Sequence, residues 1–180
     1  MCIRDRAGRY LLPILFNDFP LEEILIADTR KPFLADEKYH FSISHCGDYA
    51  AAIVSSTQRV GVDIEKSTEK ILRISHKFLT EKEKMLLDEQ MSTQQLLQLT
   101  SLLWSTKESM FKWFGDGGVD FRQHMHIEHI EGNDEEGKLI CSFRKYEPLP
   151  LTVHYRFLHE LVMSWVVSCC LLYTSDAADE

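Results

Sequence analysis

The sequence is short of positive charge and of long apolar runs. Its 20 lysine and arginine residues are outnumbered by 28 aspartate and glutamate residues, which gives a formal net charge of -8 at pH 7. A chain this acidic is not expected to present a broad nucleic-acid-binding surface, and no apolar run approaches the length needed to cross a membrane. We therefore expect a cytoplasmic globular protein that binds neither nucleic acid nor membrane.

The cysteines fit neither of two common frameworks, a disulfide scaffold or a metal knuckle. The five cysteines show no metal-knuckle spacing, and Cys169 and Cys170 are merely adjacent. We expect free thiols rather than disulfides. The sequence has no close internal repeat and no low-complexity linker, so its 180 residues are expected to form one large domain or two small ones.

The two ends of the chain differ in character from the rest. "MCIRDR" at residues 1–6 and "CLLYTSDAADE" at residues 170–180 both resemble the translation of a transposon adapter used to prepare sequencing libraries. Such segments are set aside before fold is considered. We expect both ends to be non-native, which leaves residues 7–169 as the natural segment.

Two kinds of periodicity divide that segment. "HFSISH", "AAAIVSS" and "VGVDIE" show the alternation of short strands, and four more strand-like stretches come toward the end. Between them the capping box "TEKE" predicts a helix from Thr80 to about Gln90, and a longer helix is predicted over residues 94–114. Strands and helices in separate runs predict an α+β fold, with the best subdomain boundary near residues 57–59.

One strand and one helix carry paired polar residues. Asp63 and Glu65 lie on the same face of the "VGVDIE" strand, where their repulsion raises a pKa unless a cation lies between them. Glu108 and Lys112 recur at helical spacing with Trp104; taken alone, this pair is typical of a helix surface. A third carboxylate facing the first two makes an all-oxygen site suited to Mg²⁺ and a pyrophosphate, with Lys112 as a phosphate contact.

Three separated motifs extend this interpretation. "FSISHCGDYA", "VGVDIE" and "WSTKESMFK" resemble, in order and spacing, the signature of 4'-phosphopantetheinyl transferases of the Sfp type, and the resemblance covers about residues 29–121. It implies the fold of that family, a pseudo-twofold architecture of two subdomains. Residues 7–57 would be the remnant of an incomplete first subdomain, and residues 58–169 the metal-binding second one.

The resemblance also implies a reaction and its metal ligands. Enzymes of this family transfer the 4'-phosphopantetheine arm of coenzyme A to a serine hydroxyl of an acyl, peptidyl or aryl carrier protein and release adenosine 3',5'-bisphosphate. By resemblance, Asp63, Glu65 and Glu108 bind Mg²⁺. Glu108 is also the candidate general base toward the carrier serine, and Lys112 contacts the phosphates. Asp63, Glu108 and Lys112 are therefore the expected catalytic residues.

Contacts with coenzyme A are implied in the same way. The resemblance assigns Ser44 and His45 to its phosphate groups, and Lys31 and Pro32 to the neighbourhood of its adenine. Family members with both halves in one chain are typically monomeric, so we expect a monomer.

Some positions depart from the family pattern. Cys46 stands where serine is common, and Arg30 replaces a usual glycine. In this family the N-terminal pseudo-repeat supplies basic residues to the coenzyme A 3'-phosphate; we expect most of it to be missing here, with Arg9 as the remaining candidate. Two alternatives therefore stay open: a Mg²⁺-dependent hydrolase of coenzyme A or nucleotide pyrophosphates, and an inactive fragment that binds carrier protein.

Overall fold

The computed structural model describes residues 3–88 and 90–169. The predicted non-native end at residues 170–180 lies outside the described residues, as do the first two residues of the other end. The elements in chain order are α1 (Ile3–Leu15), a 3-10 turn (Leu21–Glu23), β1 (Leu25–Ile26), β2 (Pro32–Phe33), β3 (His40–Cys46), β4 (Tyr49–Ser55), β5 (Gln58–Lys66), α2 (Glu69–Phe78), α3 (Glu81–Lys84), α4 (Thr93–Phe114), β6 (Met125–Gly132), β7 (Glu136–Phe143), β8 (Leu149–Leu158) and β9 (Leu161–Cys169).

A five-stranded antiparallel sheet forms the larger part of the fold. Its strand order is β5-β9-β8-β7-β6, and α4 packs across one face with a core that includes Leu103, Met110, Val153 and Val166. The hairpin of β3 and β4 lies along β5, the edge strand of this sheet, and its Ala51 packs with Val62, Ile64 and Leu161. These layers confirm the predicted α+β fold.

Serine hydroxyls join β3 to β5. The Val62 amide donates to Ser42 Oγ at 3.1 Å, and the Ile64 amide donates to Ser44 Oγ at 3.3 Å. These side chains take the place that backbone carbonyls have in a ladder and satisfy buried amides of β5. As a result β3 lies beside β5 at the point where Asp63 is buried.

The helix predicted from Thr80 to about Gln90 is much shorter than expected. Its capping box is confirmed, because Thr80 Oγ1 accepts from the Glu83 amide and Glu83 Oε2 accepts from the Thr80 amide. However, α3 ends at Lys84, and the next amides bond three residues back, as from Leu87 to the Lys84 carbonyl. Tertiary packing outweighs local periodicity here, since Glu83 is drawn into the core and is only 2% exposed.

The second predicted helix, over residues 94–114, is confirmed over its whole length. α4 begins after Ser92, whose side chain caps the Gln95 amide, and ends at Gly115 with φ of 83°. A positive φ of this size favours glycine because it has no Cβ. None of the helices in the described part of the chain is long and apolar enough to span a bilayer.

Candidate active site

The seam between β5 and α4 gathers most of the charged residues that the sequence predicts as a site. The alternation of side chains along β5 directs Asp63 and Glu65 toward α4. The four-residue spacing of Glu108 and Lys112 on α4 directs both of them toward β5. Asp63 is 3% exposed, whereas the other three are half-buried. Three carboxylates that repel one another are therefore held together, beside one ammonium, in a poorly solvated place.

Lys112 is bonded directly to the strand. Its Nζ donates to Asp63 Oδ1, at 2.6 Å, and to Ser44 Oγ, at 2.8 Å. Ser44 Oγ donates in turn to Asp63 Oδ1 at 2.8 Å and accepts from the Ile64 amide. Ser44 thus lies inside the charged cluster, where it orients both the carboxylate and the ammonium.

Glu65 is held by different partners. Trp104 Nε1 donates to Glu65 Oε1 at 3.1 Å, and Cys46 Sγ donates to Oε2 at 3.7 Å. Burial raises the pKa of the Glu65 carboxyl, and the neighbouring Asp63 carboxylate raises it further. Sequence reasoning placed Trp104 on the correct face of α4 but missed this bond, which joins residues 39 positions apart.

Glu108 has a pKa well above the ordinary value of a glutamate. Burial raises its pKa to about 7; the Asp63 carboxylate acts in the same direction, and the Lys112 ammonium opposes both. Three carboxyl groups consequently share one ammonium. A carboxyl group whose pKa lies near neutrality is well suited to accept and return a proton under physiological conditions.

His45 has an exposed side chain. It follows Ser44 along β3 and therefore lies on the opposite, exposed face of that strand. The two residues that the sequence analysis assigned to phosphate groups of coenzyme A therefore lie on opposite faces of β3.

A cavity of about 270 Å³ extends along the same seam from the C-terminal end of α4. Lys31, Pro32, His40 and Arg59 are among its lining residues. Arg59 Nη1 donates to the Phe114 carbonyl at 3.4 Å, and burial, followed by the Arg59 charge, lowers the pKa of Lys31 to about 8. Arg59 precedes Asp63 by four residues, which is about 13 Å of extended strand. Sequence reasoning missed Arg59, which lies just before the "VGVDIE" motif.

Comparison with known proteins decides the family. The family model described as "4'-phosphopantetheinyl transferase superfamily" matches residues 59–170, more than half of the chain. The chain belongs to this superfamily. The match includes both elements of the seam, β5 and α4.

Three similar proteins have names that refer to phosphopantetheinyl transfer or to enterobactin synthesis. The chain is 28% identical over 169 residues to 4'-phosphopantetheinyl transferase gsp of Aneurinibacillus migulanus, with 93% of this chain and 65% of that protein covered. It is 32% identical over 151 residues to the L-aminoadipate-semialdehyde dehydrogenase-phosphopantetheinyl transferase of Xenopus laevis, with 74% and 50% covered. It is 38% identical over 93 residues to enterobactin synthase component D of Salmonella typhi, with 51% and 38% covered. The chain therefore spans between 38% and 65% of the length of these relatives.

The residues of this superfamily member fit a magnesium ion in donor type and charge. Asp63 Oδ2 is buried without a hydrogen-bond partner among the described residues, and the repulsion that raises the pKa of Glu108 would be relieved by a cation. Three carboxylates are oxygen donors of the kind that Mg²⁺ prefers. The carboxylate oxygens are not arranged as a coordination shell: within the described ranges, no three His, Cys, Asp or Glu side chains form a closed metal site. The ammonium of Lys112 and the indole of Trp104 hold two of the three.

Proposed function

We propose that the chain transfers the 4'-phosphopantetheine arm of coenzyme A to a serine hydroxyl of an apo acyl or peptidyl carrier protein in a Mg²⁺-dependent reaction, releasing adenosine 3',5'-bisphosphate. The observation that carries the proposal is the grouping of Asp63, Glu65 and Glu108 beside Lys112 in a member of this superfamily. We place the reaction in a cytoplasmic monomer built from subdomains at residues 7–57 and 58–169.

Each charged residue has a distinct part in this proposal. Asp63, Glu65 and Glu108 would hold Mg²⁺, which when bound supplies positive charge to the pyrophosphate oxygens. Glu108 would take the proton from the carrier serine, directly or through a water molecule, and Lys112 would contact the phosphate oxygens. The serine oxygen then bonds to the phosphorus that carries the pantetheine arm, and the bond from that phosphorus to the bridging oxygen breaks.

The rest of coenzyme A would follow the seam away from the carboxylates. Lys31 and Pro32 line the cavity beyond Arg59, which supports their proposed place near the adenine. Ser44 would reach the phosphates together with Lys112, to which it is bonded. His45 would meet a phosphate from the outer face of β3, so we assign it to a different phosphate group from Ser44.

The experiment that tests this function is the intact mass of an apo acyl carrier protein incubated with coenzyme A, Mg²⁺ and the chain. We expect the carrier to gain the mass of one phosphopantetheine arm, and the gain to disappear when EDTA removes the metal. Consumption of coenzyme A without a change in the carrier would instead indicate the hydrolase. Intact coenzyme A and an unchanged carrier, with carrier still bound, would indicate the inactive carrier-binding fragment.

One exposed helix offers positive charge to an acidic partner. Lys70, Arg73 and Lys77 lie on the exposed side of α2, and the chain as a whole is acidic. Carrier proteins of this class are expected to be acidic helical bundles, and complementary charge mainly accelerates association.

We therefore expect the double variant Lys70→Glu, Arg73→Glu to raise the KM for carrier by roughly tenfold with little change in the KM for coenzyme A. The measurement is a carrier titration at two salt concentrations, because screening should weaken the effect. Lys138→Glu with Arg156→Glu, on the exposed ion pairs of β7 and β8, is the matched control. Equal KM values in the two double variants would contradict a carrier contact on α2.

A further inference from the structure

Lys107 is a buried cation with a full set of acceptors. Its side chain has no exposed area, and its Nζ donates to the Phe78 carbonyl at 2.8 Å, to Glu83 Oε2 at 2.8 Å and to the Phe121 carbonyl at 2.9 Å. An ammonium group has three hydrogens to donate, so all three are used. Lys107 is the neighbour of Glu108 on α4 but faces away from the carboxylate cluster.

Glu83, the anion of this pair, is equally well held. Its Oε1 accepts from the Ile127 amide at 2.9 Å, and its Oε2 accepts from the Thr80 amide at 2.8 Å as well as from Lys107. The pair thereby ties α3, α4 and β6 to one point. Removal of one member of a buried pair leaves a charge without a partner and is strongly destabilising, and the three hydrogen bonds of Lys107 define the position of its Nζ.

The two carbonyls that Lys107 binds belong to residues that flank one tryptophan. The ring of Phe78 lies 4.9 Å from the ring of Trp104 between centroids, and the ring of Phe121 lies 5.5 Å from it. Phe78 is the last residue of α2, and Phe121 belongs to the segment between α4 and β6. Lys107 therefore fixes the backbone at two residues whose rings pack against the Trp104 indole.

The position of the Trp104 ring in turn affects Glu65 in the charged cluster. Its Nε1 donates to Glu65 Oε1 at 3.1 Å, and the direction of that bond depends on where the indole ring lies. Residues outside the ligand set of a metal site commonly orient the ligands in this way, and their loss typically weakens metal binding by 10-fold to 100-fold.

We propose that Lys107 and Glu83 are positioning residues that act on Glu65 through Phe78, Phe121 and the Trp104 indole. The role assigned to Glu65 rests on the proposed function, whereas the placement of the indole does not. The proposal therefore makes two separable claims: Lys107 determines where the Trp104 ring lies, and the ring determines how well Glu65 supports Mg²⁺-dependent binding of coenzyme A.

The first claim is tested by fluorine NMR of the chain labelled with 5-fluorotryptophan. The sequence has three tryptophans, so Trp104→Phe identifies the Trp104 signal. We expect Lys107→Met to shift that signal while those of Trp113 and Trp165 stay in place. The matched control, Lys138→Met, removes an exposed lysine paired with Glu131 and should move none of them. An unmoved Trp104 signal in a folded Lys107→Met variant would overturn the proposal.

The second claim is tested by calorimetric titration of coenzyme A at a series of Mg²⁺ concentrations. We expect Lys107→Met and Trp104→Phe each to raise the Mg²⁺ concentration needed for binding by about tenfold, and the double variant to be no worse than either single one. Effects that multiply would mean that Lys107 acts by another route.

Two further outcomes are informative. If Lys107→Met does not fold, all three fluorine signals will collapse together, and Glu83→Gln, which removes the charge but keeps an oxygen acceptor, takes its place with the same expectations. If the unmodified chain does not bind coenzyme A at any Mg²⁺ concentration, the proposed function fails, while the fluorine experiment still decides whether Lys107 places the indole.

Discussion

Glu108→Gln is expected to lower the rate of phosphopantetheine transfer by a factor of roughly 10²–10⁴, the range found when a general base is removed. The carboxamide keeps the shape of the side chain but can neither accept the serine proton nor offer a charged oxygen to Mg²⁺. The measurement is the initial rate of mass gain of the carrier at saturating coenzyme A.

Stability separates this effect from damage to the fold. Burial and the Asp63 carboxylate raise the pKa of Glu108 to about 7, so its charged form is disfavoured in the folded chain. Glutamine removes that charge, and the variant should unfold at the same temperature as the unmodified chain or at a higher one in metal-free buffer. Glu81→Gln, at an exposed ion pair with Lys84, is the matched control and should keep full activity. Retained activity in Glu108→Gln would remove Glu108 from the catalytic residues.

Local periodicity predicted which side chains would meet at the seam. Asp63 and Glu65 are two residues apart on a strand, and Glu108 and Lys112 are four residues apart on a helix, so each pair shares a face whatever the rest of the fold does. Only the packing of α4 on β5 had to be supplied by the tertiary structure. The chemical roles of these residues remain predictions, but their proximity follows from short-range geometry.

The long-range partner of Glu83 could not be predicted from the sequence. Nothing near Glu83 in the chain indicates that it pairs with Lys107, 24 positions away. The capping box that placed Glu83 was predicted correctly. Its second use, as a buried anion, depends on where α4 lies and could not be deduced from local pattern.

The approach of α4 to β5 depends on a residue without a side chain. Gly61 lies two positions before Asp63, and a Cβ at this glycine would overlap the Ser109 carbonyl oxygen and lie 2.6 Å from the Trp113 amide nitrogen. Both atoms belong to the backbone of α4, which cannot rotate away as a side chain can. Ser109 and Trp113 are also the immediate neighbours of Glu108 and Lys112, so any displacement of the helix here displaces the site.

Gly61→Ala is therefore expected to destabilise the chain by about 3 kcal/mol or more, at the upper end of the range for overpacked cores, and to weaken Mg²⁺-dependent binding of coenzyme A. Urea unfolding measures the first effect and calorimetry the second. Gly118→Ala is the control: its φ of 59° also disfavours a side chain, but only the end of Lys145 lies near, so it should cost about 1 kcal/mol and leave binding intact. Similar losses in the two variants would mean that contact with α4 adds no cost at Gly61, whose backbone lacks the positive φ of Gly118. Since the same contact sets the depth of α4 on the sheet, stability and binding should fall together in Gly61→Ala, whereas only stability should fall in Gly118→Ala.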